Sequence, residues 1–441
     1  MGPGATMILT LFITALAISS CGGSIDYLHL DSRPSNYTNE FSSDLPKLEH
    51  IFKERIPGLS TRNDIIRRDR ADPNVVHRVI FVIRQRNMDK LTRILHDVSD
   101  PTSVNYGLHL SREEVLNITS NTFSRDSVIT FLSKRSVQVV SETLGGEYII
   151  AEAFISEWEK IFDTEFYKFR QTHDGSHTAE AIRAEKYSIP RVLESHIEGV
   201  LNAVDMPLIR NGRSTTAKSV PSRGRVSDSL LPTDYGVVTP AKLIAYYNAS
   251  MSSGSNQSTQ AIFAAISQNY SPADLLAFQT AHHLDFQDAV SVNGHASDDV
   301  CISTPDNCIE SNLDVQWIMA TSQGSPTTHW YTDDFFGDWL ISVANSTNPP
   351  LVLSISYGAD EKHVTSLAHE TFNTQAIKCG VMGITIFAAS GDDGAHSSSV
   401  RGRRTEFCGY EPDFPAGSPY VTAVGATAVG ALLCSICCQM R

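Results

Sequence analysis

The chain is 441 residues long, 41% hydrophobic and 19% charged, with a mean hydropathy of −0.14, which is the composition of a globular protein able to bury a large core. Its formal charge of −14 argues against nucleic acid as a partner, because a phosphate backbone needs a basic face. No stretch is long and apolar enough for a membrane span.

Met7 to Ile18 form a short apolar run followed by Ser19 and Ser20, the pattern of a secretory signal peptide over residues 1–20. Residues 21–74 read as a polar, irregular lead-in with a basic Arg67-Arg68-Asp69-Arg70 cluster. From Val75 the pattern tightens. Arg78 to Ile83 is a β-rich run, Met88 to Val98 has helical spacing, and Ser111 opens an N-capped helix. A helix over Ser124–Leu132, strands over Val137–Ser141 and Tyr148–Ala153, and a helix over Ile155–Phe162 complete an α+β unit. This unit is assigned to residues 75–208.

Residues 209–230 lose apolar periodicity and carry Arg210, Arg213, Lys218, Arg223 and Arg225 with no acid before Asp228. That is linker composition, either a plain exposed connection or a processing region. From 231 to 427 the class changes. Gln260–Ile266, Leu351–Ile355 and Gly383–Ala389 are short apolar strands. Helical stretches near 271–282, 310–320, 334–344 and 364–378 alternate with them, and alternation means a parallel sheet covered on both faces. Residues 428–441 form a divergent tail whose Cys434, Cys437 and Cys438 lack further metal ligands.

Entry into the secretory pathway is supported by N-glycosylation sequons at Asn36, Asn117, Asn248, Asn256, Asn269 and Asn345. An oxidising lumen would favour a Cys301–Cys308 bridge, with Cys379 and Cys408 as a second candidate pair. The destination is extracellular or lysosomal/vacuolar.

The chemistry-bearing residues are carboxylates. Glu310 and Asp314 are four apart in a helix, so they share a face and can share a proton. Leu313, Trp317 and Met319 surround them, and the helix is expected to be largely buried. Ser390-Gly-Asp-Asp-Gly394 follows a strand, and its glycines let a tight turn aim Asp392 outward at the carboxyl end of the sheet, where open α/β folds bind ligands. Each motif alone also fits a bland reading, a solvated pair and an acidic capping turn.

In order along the chain stand Glu310 to Gln316, Ser356-Tyr357-Gly358, Ala389 to Gly394 and Phe414-Pro-Ala-Gly-Ser-Pro-Tyr-Val-Thr422. Asp100 to Leu110 and Val238 to Asn248 precede them. This series resembles the sedolisin, or serine-carboxyl peptidase, family. The resemblance implies a subtilisin-like parallel sheet with helices on both faces, incomplete at the C-terminus and preceded by an α+β, ferredoxin-like propeptide domain. It implies a zymogen of a tripeptidyl-peptidase or endopeptidase acting on peptide or protein substrates. Glu310 would be the general base, Asp314 its orienting partner and Asp392 the oxyanion donor. Such a site suits acid, since a carboxylate base still works near about pH 4, where a histidine of reference pKa about 6.5 is protonated. An aspartic acid donates to an oxyanion only while it keeps its proton.

The departure lies in the nucleophile. The family's Gly-Thr-Ser-x-Ser segment and the Asp-rich calcium site that follows it have no counterpart among these residues. Calcium is therefore a family expectation without its site here, and the chain as it stands is expected to be inactive. An alternative function is a non-catalytic inhibitor or chaperone-like binder of a full-length relative.

Overall fold

The computed structural model describes residues 48–173, 177–207, 238–249, 254–333, 335–392 and 410–425. Signal peptide, linker, tail, Asn36 and Cys408 lie outside the described residues.

The amino-terminal unit is built on a four-stranded antiparallel sheet. The strands of the whole unit are β1 His50–Arg55, β2 Ile65–Arg70, β3 Val76–Ile83, β4 Gln138–Glu142, β5 Tyr148–Phe154, β6 Phe166–His173, β7 His177–Ala184, β8 Lys186–Pro190 and β9 Ile197–Leu201. The order is β4-β5-β3-β9, while β2-β6-β7 form a second sheet and β1 pairs with β8. The inner strand β3 (Val-His-Arg-Val-Ile-Phe-Val-Ile) is buried over its last five residues, because Val79, Phe81 and Ile83 face one core and Ile80 and Val82 face another. Helices α1 Met88–Ser99, α2 Arg112–Thr119, α3 Thr122–Ser133 and α4 Ile155–Phe162 complete the unit. Its core gathers Phe81, Trp158, Phe162, Phe166 and Tyr187, all essentially sealed, with Trp158 stacked on Phe162 at 5.3 Å. Helix α2 starts on a full capping box between Ser111 and Glu114, which satisfies two orphan backbone donors.

Residues 21–74, expected as an irregular lead-in, are not irregular throughout. The segment taken as irregular lead-in contains β1 and β2, which pair antiparallel with β8 and β6. Both offer little local signal, since β2 buries only its first residue.

The second unit contains α5 Pro240–Tyr246, β10 Gln260–Ala264, α6 Pro272–Ala281, β11 Val290–Val292, α7 Asp298–Ser303, α8 Ile309–Thr321, β12 Thr327–Tyr331, α9 Phe336–Asn345, β13 Val352–Ile355, β14 Ala359–Asp360, α10 Ser366–Val381, β15 Thr385–Ala389, β16 Asp413–Phe414 and β17 Thr422–Val424. The six-stranded sheet runs β11-β12-β10-β13-β15-β17, with every pair parallel. Strand alternation sends Phe263, Leu353, Ile355, Ile386 and Ala388 into one core with Trp339 and Phe372 of α9 and α10. Ile262 points the other way, into a core with Leu275 of α6 and Val315 and Met319 of α8. Helices thus cover both faces.

The two units meet along α9 and α10. Ile80, Val82, Tyr148 and Leu201 pack on Ile341 and Leu367. A Lys378–Glu147 ion pair spans the junction at 2.6 Å, with side chains only 3% and 2% exposed. Gln375 donates to the Tyr148 hydroxyl at 2.7 Å, the Thr365 hydroxyl donates to Asp205 at 2.5 Å, and the Leu367 amide donates to Glu54 at 3.1 Å. Gly199 is required by this approach, since a Cβ there would stand 2.8 Å from both Leu367 and the Tyr187 hydroxyl.

Candidate active site

Helix α8 carries the carboxyl pair. Its start is fixed by Gln268, a fully buried side chain that accepts from the Glu310 amide at 3.1 Å and donates to the Asp306 carbonyl at 3.0 Å. Cys308, at the N-cap, offers no side-chain cap and instead forms a disulfide with Cys301, tying α8 back to α7. Asn312 adds a second anchor, accepting from the Ser271 amide at 2.8 Å. Cys379 of the second candidate pair is a buried free thiol.

The buried stripe of α8 is Ser311, Val315, Met319 and Ala320. Leu313 is 49% exposed and Trp317 only half-buried, so the helix is not largely buried as its composition suggested. It lies across the sheet with one side open, and Glu310 and Asp314 occupy the border of the buried stripe, both half-buried as residues.

At Asp314 the carboxyl group itself is inside. Its Oδ1 accepts the Ser356 hydroxyl at 2.7 Å, and its Oδ2 is sealed with no hydrogen-bond partner. Burial pushes this carboxyl well above the ordinary carboxylate range, the Glu310 charge pushes it further, and the Ser356 hydroxyl pulls back against both. Ser356 reaches α8 by strand alternation. Leu353 and Ile355 face the α9–α10 core, so Ser356, just past the end of β13, falls on the side of Ile262 and α8.

Asp392 is exposed in the turn leaving β15. Ile355 of β13 is in register with Ala388 of the neighbouring parallel strand β15, so Ser356 and the Asp392 turn emerge at the same carboxyl end of the sheet. Gly391 takes φ +85°, and a Cβ there would overlap the Asp413 carboxylate. Only glycine holds this turn without strain. Asp413 belongs to β16, which pairs with β14 beside the Ser-Tyr-Gly segment. Phe414 of the Phe-Pro-Ala motif is 1% exposed, in contact with the rings of Phe336 and Phe372.

Beneath α8, His329 of β12 is fully buried and hydrogen-bonded to Ser311 at 2.9 Å. Burial pushes it down to about 4, so it stays neutral above that and brings no charge to the pair. A cavity of about 270 Å³ at the junction of the two units is lined by His77, Arg183 and Thr371 among others, and by none of the three carboxylates. No group of three or more His, Cys, Asp or Glu among the described residues is placed to hold a metal ion.

Of the described sequons, Asn117, Asn248 and Asn256 are exposed and Asn345 half-buried. Asn269 is 7% exposed and donates to the Ser267 carbonyl. Among the described residues no helix is long and apolar enough to cross a membrane.

Gln268 and Ser356 were not singled out from the sequence as partners of the carboxyl helix. A glutamine in a loop carries no motif, and the role of Ser356 depends on which face its strand presents.

Residues 63–206 match the pro-kumamolisin activation domain. The chain is 28% identical over 381 residues to tripeptidyl-peptidase 1 of Bos taurus and of Homo sapiens, and 29% identical over 384 residues to that of Canis lupus familiaris. Each match covers 81% of this chain and 62% of the relative, so the chain spans under two thirds of the length of these relatives. A solved Pseudomonas sedolisin, a serine-carboxyl proteinase complexed with pseudo-iodotyrostatin, aligns at 21% identity and a TM-score of 0.35, over 42% of this chain and 52% of that one. The activation-domain match and the tripeptidyl-peptidase 1 relatives make this chain similar to the sedolisin, tripeptidyl-peptidase 1-like family.

Proposed function

We propose that this chain carries the activation domain and the base-bearing part of a serine-type peptidase that cleaves peptides in acid, reached through the secretory pathway in an extracellular or lysosomal compartment. The observation that carries this reading is the Glu310–Asp314 pair, with Asp314 held on Ser356 at the carboxyl end of the sheet from which Asp392 also emerges. In this reading Glu310 takes the proton of a serine hydroxyl as its oxygen attacks the peptide carbonyl, and the Asp392 carboxylic acid donates to the developing oxyanion. Collapse returns the proton from Glu310 to the leaving amine. Water then repeats the cycle on the acyl-enzyme.

These residues contain no segment like the family's nucleophile motif. The 441 residues by themselves are therefore expected to give no turnover of an amino-terminal tripeptide substrate near about pH 4. The same chain continued into a Gly-Thr-Ser-x-Ser segment is expected to turn over, and Glu310→Gln to cut its rate by roughly four to six orders of magnitude. Turnover indifferent to both Glu310 and Asp392 would sink the assignment.

A second reading has its own support in the buried junction between the two units. A chain that docks an activation domain so closely on α10 can inhibit or assist the folding of a full-length relative. Its signature is a stoichiometric fall in that relative's turnover, or a rise in its refolding yield, when this chain is added.

A further inference from the structure

The two carboxylate oxygens of Asp314 are unlike. Oδ1 accepts the only hydrogen the Ser356 hydroxyl has, at 2.7 Å. Oδ2 is sealed from solvent and has no donor. An ionised oxygen in that position is costly, and ionising Glu310 one turn away on the same helix raises the cost. A single proton on Oδ2 removes the buried charge and its repulsion with Glu310, and leaves only the smaller cost of a neutral hydroxyl without an acceptor. No other charge intervenes from the strand beneath, because His329 bonds Ser311 and is neutral above about 4.

We propose that Ser356 is a positioning residue of the carboxyl pair: by donating to Oδ1 it holds the Asp314 carboxyl in one orientation, leaves Oδ2 as the oxygen that takes the pair's proton, and eases release of that proton. The geometry does this through the strand. β13 is locked in register between β10 and β15, so the Ser356 hydroxyl is delivered to α8 by the rigid sheet. Naming Glu310 as base rests on the function proposed above; the placement of the proton does not.

The test uses the full chain labelled with ¹³C at aspartate side chains, following the Asp314 carboxyl shift with pH, its resonance assigned by its loss in Asp314→Asn. In the unaltered chain the Asp314 midpoint is expected well above that of an ordinary aspartate, whose reference pKa is about 3.9. Ser356→Ala removes a donor to the ionised form, so the midpoint should rise by about one pH unit. Ser356→Thr keeps a hydroxyl at the same place and should restore it. An Asp314 midpoint at or below that of an ordinary aspartate overturns the proposal, as does a midpoint unmoved in Ser356→Ala while thermal stability falls, which is what a merely structural serine would give. If Ser356→Ala does not fold, the unaltered chain and Ser356→Thr decide: the proposal stands on a raised Asp314 midpoint that is alike in both, and falls otherwise. The readout is protonation, not turnover. An Asp314 midpoint raised as described in a protein without peptidase activity sinks the proposed function and leaves this inference standing.

Discussion

Lys378 and Glu147 show how a single pair can tie docking to pH. Burial pushes the Glu147 carboxyl up, but the Lys378 charge and hydrogen bond outweigh it and hold the group below its ordinary range. Burial pulls the Lys378 amine down in spite of Glu147, so the carboxylate gains from the pair while the amine bears the desolvation. The Glu147 contribution is present above its unfolded pKa of about 4.5 and is lost as pH falls through the lower folded value. Glu147→Gln should destabilise the chain at neutral pH by roughly 3 kcal/mol, because it strands a buried charge, and should flatten the acid limb of the denaturant midpoint plotted against pH. Glu54, at the same junction, has the opposite sign. Burial, with help from Asp205 and Glu370, pushes it up to about 7 against the Leu367 and Ser366 amides. Its contribution is whole below the unfolded value of about 4.5 and is lost as pH rises through about 7. Glu54→Gln should therefore stabilise the chain above pH 7, on the order of 2 kcal/mol, and change little near pH 4, as read by thermal melts at the two pH values.

At the scale of elements, the turn after β15 carries the sharpest expectation. Gly391→Ala meets both a left-handed φ of +85° and the Asp413 carboxylate, whereas Gly107, at φ +75°, has open space around it. Calorimetry should find Gly391→Ala destabilising by roughly 1–3 kcal/mol more than Gly107→Ala, the difference being the overlap and not the dihedral. Much of the architecture was legible because it is locally written. Helix α2 announces itself through Ser111 and Glu114, α4 through its apolar stripe, and β13 and β15 through unbroken apolar runs between turn residues. The strands that escaped are those whose reason lies elsewhere in the chain. β12 reads Thr-Thr-His-Trp-Tyr, with no alternation to mark it, and is a strand because β10 and β11 flank it. β1 and β2 exist through partners far along the sequence. The carboxyl pair was visible from its four-residue spacing. The Ser356 bond was not, since it follows from sheet register, and the exposure of Leu313 was missed because composition does not say which side of a helix stays open.

For the whole molecule, the described residues of the first unit end at Pro207 and those of the second begin at Val238, and we propose the basic sequence between them as the segment to be cut if the first unit is released. Incubation near about pH 4 of a version that turns over should give new amino termini between Arg210 and Leu231 by mass spectrometry. Cleavage confined to other segments would shift the boundary between the units. Cutting the basic sequence does not by itself part them, because Ile80, Val82, Tyr148 and Leu201 remain packed on Ile341 and Leu367.

The sealed lysine gives chemistry a way to see that parting. With 3% of its side chain exposed, Lys378 is closed to amine-acylating reagents while the first unit sits on α10, and the neighbouring Cys379 thiol, fully buried and pushed up to about 12, is closed to alkylation. Once the first unit leaves, Lys378 loses its carboxylate and faces water. Its acylation, against a Cys379 that stays unreactive inside the α10 core, is then a chemical timestamp of release, readable peptide by peptide without any measurement of peptidase activity.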